Sequence, residues 1–367
     1  MAGSSSGRVA VGAGVFVAIA VQCVVAAQAP TASVRDAAVP IPHPVTMLLR
    51  DAGVQRELGL GDDQIGAVGA ELDRVEPALW QLRDLSPSEG NAPAGRLVEG
   101  LRAKLGGVLS AKQAERLDEL VLQARGIEGF LDAKVVRQLR LSAGRVAQIR
   151  EIVGTLREEL AGLQRTTRGA HHAGQMRAIQ SKADQAVVAL LDRRQRVRLS
   201  GLMGSAFDLS RVRQVACRAP ELRGVDTWIN SDPVTLGSMR GEVVVVHFYT
   251  FGCINCVRNL PHYVAWQKHF ASRPVRLVGI HRPETQGERV VETVRAKAAE
   301  TGLTHPIAVD NDSENWDAWA NRVWPSVYLV DKKGFVRYWW YGELNWEGIE
   351  GERWMRGKIE ELLAESE

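Results

Sequence analysis

Val243-Val244-Val245-Val246-His247-Phe248-Tyr249-Thr250-Phe251-Gly252-Cys253-Ile254-Asn255-Cys256 decides the fold of the last third of this 367-residue chain. The run to Thr250 is a continuous series of β-branched and aromatic side chains, as a central strand buried on both faces requires. Phe251-Gly252 then turns the chain, and Cys253 opens a helix running to about His269. A Cys at a helix amino terminus faces unpaired N–H groups and the positive end of the helix dipole, which favour thiolate over thiol. Thiolate is the attacking species in disulfide exchange. Cys256, one turn inside the helix, is placed to resolve the mixed disulfide.

Outward from that pair, Pro261 falls inside the helix and predicts a kink. Val275 to His281 reads as a second, parallel strand, and Arg289 to Thr301 as a crossover helix. Val327-Tyr328-Leu329-Val330 and Phe335-Val336-Arg337-Tyr338-Trp339 flank the turn Asp331-Lys332-Lys333-Gly334, which predicts an antiparallel hairpin.

Several separated motifs then occur in order. Ala219-Pro220-Glu221-Leu222 and Thr227-Trp228-Ile229-Asn230 resemble the entry to a TlpA-like thioredoxin domain. Thr250-x-x-Cys253-Ile254-Asn255-Cys256, His281-x-Pro283-Glu284, Asp310-Asn311-Asp312, Trp316 and Trp324-Pro325 resemble the DipZ-type branch. The resemblance covers roughly residues 216 to 365. It implies an α/β thioredoxin fold with a central mixed sheet, and an envelope thiol–disulfide oxidoreductase. Its partners would be protein thiols and disulfides, with a membrane thiol carrier as electron partner. It also implies a cis peptide before Pro325, in a loop whose backbone receives the substrate strand, and it places Trp324 as a substrate-facing wall. Glu284 corresponds to an acid near the sulfurs in TlpA-like proteins and is the first choice of proton acceptor.

One departure concerns His247, which stands where thioredoxins carry a buried acid six residues before the first Cys. It either shuttles a proton near neutral pH or is a hydrogen-bonded core histidine. Trp316, Trp319, Trp339 and Trp340 are assigned to packing, and Cys217 to a linker as a spare thiol. A peroxiredoxin would want proline where Val246 stands, and the second close Cys argues against that chemistry. A zinc site needs four ligands, and His247, His262 and His281 are poorly placed to complete one. No metal or organic cofactor is called for.

The rest of the chain differs in kind. Nine of the ten tryptophans lie at or after Trp228, whereas the first half is rich in Leu, Ala, Arg, Glu and Gln, which suit helices. Arg8 and the apolar run Val9 to Val25 read as an export signal cut after Ala27, the alternative being an uncleaved membrane anchor. Gln22 before Cys23 is too large for lipoprotein processing. An exported setting with one C-x-x-C among four cysteines suggests a redox pair rather than a set of structural staples. A net charge of +3 gives no support to nucleic-acid binding.

After a Pro-rich leader (28–44), apolar residues at helical spacing predict a helical domain over 45–212, broken at Ser86 to Gly95 and at Thr166 to Gly174. His171-His172 lies in the second break as a solvated loop. Leu60-x-x-x-Gln64, Leu109-x-x-x-Gln113 and Leu191-x-x-x-Gln195, with a weaker copy at Leu141, suggest an internal duplication, each copy a helix start with a capping box. These motifs resemble the LTxxQ proteins of the bacterial envelope, the Spy and CpxP group, which implies a chaperone or interaction role and allows self-association. The expectation is a multidomain protein: an all-α amino-terminal domain, then the thioredoxin fold over 213–367, working in the periplasm or otherwise outside the cytoplasm. The competing reading makes the chain a helical envelope chaperone or interaction protein with an accessory redox domain.

Overall fold

Seven strands form one mixed sheet in the computed structural model, which describes residues 43–166 and 170–365. The expected signal at 1–27 and all but the end of the Pro-rich leader lie outside the described residues, as do the side chains of His171 and His172. The strands are β1 (Cys217–Arg218), β2 (Trp228–Ile229), β3 (Val243–Tyr249), β4 (Val275–His281), β5 (Ile307–Val309), β6 (Ser326–Val330) and β7 (Phe335–Tyr341). They lie in the order β1-β7-β6-β3-β4-β5-β2. β3, β4 and β5 are parallel, and the other pairings are antiparallel. Every residue of β3 is buried, which is why its sequence shows no polar alternation. Cys217, expected in a linker, lies instead in edge strand β1, paired with Val336.

The helices before the sheet are α1 (Pro44–Arg50), α2 (Ala52–Glu57), α3 (Asp62–Gln81), α4 (Pro87–Leu105), α5 (Ala111–Arg125), α6 (Ala133–Leu139), α7 (Ala143–Thr166), α8 (Ala170–Ala189) and α9 (Arg193–Met203). They do not form one domain. Ala111–Val212 is one unit, while the described residues up to Ser110 join those from Arg213 onward in the other. The boundary expected at residue 212 therefore leaves α1 to α4 on the wrong side. The physical reason is the sheet face that carries Tyr328 and Trp339. Trp80 of α3 packs edge-on against both rings, at centroid distances of 6.0 and 5.0 Å, and its Nε1 donates to the Trp319 carbonyl at 2.9 Å. Arg83 follows it inward. Its Nε donates to the Tyr341 hydroxyl at 2.7 Å and its Nη2 to the Ala320 carbonyl at 2.8 Å, with the guanidinium 4.0 Å from the Trp80 ring.

Unit Ala111–Val212 has its own core, in which Phe130, Leu139, Ile149, Val153, Val187 and Leu199 are buried together. The glutamine motifs behave as caps. Asp192 accepts the Gln195 N–H at 2.8 Å, and Gln195 Oε1 accepts the Asp192 N–H at 3.0 Å. Gln64 and Gln195 also donate to the backbone just ahead of another copy, at Val108 (2.8 Å) and Leu139 (3.2 Å). Ser86 to Gly95, expected as a break, is instead the start of α4. Ser86 and Glu89 form a capping box and Pro87 occupies the first turn, where its missing N–H costs nothing.

Beyond the sheet's first strands come α10 (Ile254–His269), α11 (Val291–Thr301), the short α12 (Glu314–Ala318) and α13 (Gly351–Ala364). Val243, Val245 and Tyr249 of β3 share a buried cluster with Leu260, Tyr263 and Trp266 of α10, Val294 of α11 and Met355 of α13. Phe248 points the other way, toward Trp316, Trp319 and Tyr328. The sheet thus has a helix-covered face over the Cys turn and an aromatic face under α3. Among the described residues, no helix is long and apolar enough to cross a membrane.

Candidate active site

The buried strand β3 delivers the chain to Thr250, and the turn Phe251-Gly252 leaves Cys253 as the N-cap of α10. Cys253 is partly exposed and Cys256 fully buried, and both are free thiols. Burial pushes the Cys256 thiol well above its ordinary value. The neighbouring Cys253 thiol and the Glu284 carboxylate push it the same way, and the Thr250 backbone N–H pushes against them. The two sulfurs therefore share one local site, with the outer one accessible.

The pairing Phe248↔Ser326 sets the Trp324–Pro325 peptide, which is cis, across from the end of β3. Pro325 is buried, and Trp324, Phe251 and Cys253 pack partly exposed on the same core. Trp324 stacks on Trp316 at 4.1 Å, and the Arg282 guanidinium lies over both rings at 4.8 and 5.2 Å. Ile254 (60% exposed), Val257 and Val323 leave apolar side chains open beside this loop and the helix start.

His247 is fully buried on the α10 face, stacked on Tyr263 at 4.1 Å. Its Nε2 lies 2.8 Å from Nε2 of His305, whose Nδ1 is 3.0 Å from Gln267 Oε1. An amide oxygen only accepts, so His305 carries its proton on Nδ1 and receives one from His247. That leaves His247 Nδ1 as a buried acceptor with no partner among the described residues. Burial, and then His305, push His247 well below its ordinary value, and burial takes His305 down to about 4. Room for the His247 ring comes from Gly279 on β4, where a Cβ would stand 3.0 Å from its Nε2. Glu284 is exposed at the end of the loop after β4.

Residues 215–339 match the AhpC/TSA family model. Protein DipZ of Mycobacterium tuberculosis is 40% identical over 128 residues, covering 34% of this chain and 18% of that relative. Thiol-disulfide oxidoreductase YkuV of Bacillus subtilis is 28% identical over 149 residues, covering 40% of this chain and 95% of the relative. The solution structure of a thioredoxin-like protein in its oxidized form aligns at 28% identity, over 41% of this chain and 97% of that one, with a TM-score of 0.36.

The carboxy-terminal part of the chain is a thioredoxin-like domain.

In this thioredoxin-like domain the chain spans 18% of the length of the DipZ relatives, so the likeness concerns the domain and not the whole of either protein. The structure gathers Cys253, Cys256, Glu284 and the Trp324–Pro325 loop at one end of β3, and sets His247 deeper, in a histidine pair. Sequence reasoning missed four neighbours of the turn. The Thr250 backbone N–H favours the Cys256 thiolate, and the Thr250 hydroxyl lies 3.3 Å from His281 Nε2. Glu288 is buried behind Gly252. Arg282 braces the Trp324 ring, and Asn259 ties α10 to the Leu344 N–H at 2.9 Å and the Gly342 carbonyl at 3.0 Å. A signal for Glu288 existed in Thr285-x-x-Glu288, a capping-box spacing, though not for its place beside the cysteines.

Proposed function

We propose that this protein is a thiol–disulfide oxidoreductase acting outside the cytoplasm, through Cys253 and Cys256. The observation that carries the reading is the pair itself: an accessible thiol on the N-cap residue of α10, beside a buried thiol one turn inside. Facing a substrate disulfide, the Cys253 thiolate forms a bond to one sulfur and expels the other as a thiolate, which takes up a proton. Cys256 then gives its proton to a base, attacks the Cys253 sulfur and releases the second substrate thiolate. The substrate gains two electrons and two protons, and the cysteine pair is left as a disulfide.

Glu284 is the base we assign, because Cys256 feels its carboxylate while its own exposure opens it to water. His247 is less suited, since its Nε2 proton is committed to His305 and burial disfavours its charged form. Trp324 forms the wall and Pro325 the backbone edge on which a substrate strand lies. The substrates are protein thiols and disulfides. Export through the 1–27 signal, a membrane thiol carrier as electron partner and self-association through Ala111–Val212 complete the proposal. They rest on the sequence resemblances.

Reduction of insulin disulfides by the full chain tests it. Cys253→Ser is expected to lose at least about a thousandfold in rate, because the attacking sulfur is gone. Equal rates for both proteins would sink the reading.

A further inference from the structure

Glu288 takes no part in that exchange, yet it is only 4% exposed and lies behind the redox turn. Its Oε2 accepts the N–H groups of Glu284 at 2.6 Å and Thr285 at 2.9 Å. Its Oε1 presses on Gly252, the residue before Cys253, so closely that a Cβ there would collide with it. The Thr250 hydroxyl lies 3.3 Å from His281 Nε2 and favours the charged form of the same carboxylate.

The charge of this cluster follows. Burial takes His281 down to about 4, so its ring is neutral at pH 7. Burial works against the Glu288 anion, but the two N–H groups and the Thr250 hydroxyl hold its carboxyl below the ordinary range. Arg282 is turned to Trp316 and Trp324, and its Nε donates to Ser313 at 3.0 Å. A buried anion without an ion-pair partner is costly to keep. Capping a short surface turn does not require one. The groups around the carboxylate lead to the sulfurs: it holds the backbone of Glu284, the acid that Cys256 feels, and it lies against Gly252, which carries Cys253.

We propose that Glu288 is the positioning residue of the redox pair, a buried anion that fixes Gly252 and Glu284 beside the sulfurs and biases the pair toward its disulfide. The bias is electrostatic. Closing the disulfide sends two electrons and two protons to the accepting disulfide, which becomes two thiols. A nearby anion destabilises any thiolate of the open form and leaves the neutral disulfide alone, so it makes the pair a stronger reductant. The inference rests on the thiol–disulfide reading of Cys253 and Cys256.

The full-length protein is equilibrated at pH 7 with glutathione buffers of graded ratio, and the disulfide fraction is read by alkylation and mass spectrometry. Glu288→Gln keeps the shape and one acceptor oxygen but removes the charge. It is expected to move the equilibrium about tenfold toward the dithiol, a potential about 30 mV higher. Gly252→Ala displaces the carboxylate without altering it and should shift the equilibrium in the same direction. If both variants, folded by circular dichroism, stay within about twofold of the parent, the carboxylate only caps its turn and the proposal is wrong. A parent protein that forms no Cys253–Cys256 disulfide in any buffer would instead refute the thiol–disulfide reading itself.

Discussion

The two faces of β3 put one strand to different uses. Toward α10 it presents Val243, Val245, His247 and Tyr249, and that side carries buried polar groups: the His247–His305 pair and, past the strand end, Thr250, His281 and Glu288. Toward α3 it presents Phe248 among Trp316, Trp319 and Tyr328, and Trp80 closes that side. Arg83, buried there, directs its donors to Tyr341, Tyr328 and the carbonyls of Trp80 and Ala320. Each face holds a buried thiol as well. Burial pushes both Cys217 and Cys256 up, but Cys217 neighbours Arg50, Glu76 and Arg83, whereas Cys256 neighbours another sulfur. Burial alone does not make a thiol reactive; the partner and the access route do.

This contrast can be broken most forcefully at Trp80. Replacing it by Ala removes a side chain that is 1% exposed and meets two rings edge-on, and should cost about 3–5 kcal/mol. The glutathione equilibrium of the cysteine pair should stay within about twofold of the parent. Urea midpoints of the full chain read the first quantity. A loss under about 1 kcal/mol would mean that α3 is not an integral cover of the sheet.

Acid should strike the opposite face. His281 and His305 are held down to about 4 in the folded protein, from an ordinary 6.5, and burial holds His247 well below its ordinary value too. The unfolded chain therefore takes up protons first as pH falls. The stability carried by these neutral rings is complete above about 6.5 and lost progressively toward 4, on the order of 3 kcal/mol per ring. Urea midpoints at pH 7.5 and pH 5 measure it, and His305→Gln should flatten the slope. Equal midpoints at the two pH values would contradict buried neutral rings. The smallest effect is expected at Cys217→Ala, about 1 kcal/mol with unchanged insulin reduction. A fall in reduction rate would give Cys217 a share in the chemistry and erase the distinction between the faces.

Much of the site was legible because its parts are local. A β-branched run, a Gly turn and a Cys at a helix start are adjacent in the chain, and the hairpin after Trp324-Pro325 announces itself by its turn residues. Short strands carried too little pattern. β1 and β2 have two residues each and β5 three, and all are defined by pairing with strands far off in sequence. Ser86 to Gly95 shows the opposite ambiguity: its Pro and Gly suit a turn, yet a capping box and a first-turn proline begin a helix there.

Local chain chemistry specifies the strand, the turn and the thiol pair at the mouth of α10, since backbone propensity and helix-end effects act over a few residues. The tertiary structure alone decided that His305, 58 residues on, would hold His247, and that Glu288 would press on Gly252. It also decided that Trp80 and Arg83 would belong to the sheet rather than to the helices that follow them. Those choices depend on which buried surfaces and orphan donors meet once the chain is compact, and no local pattern encodes that meeting.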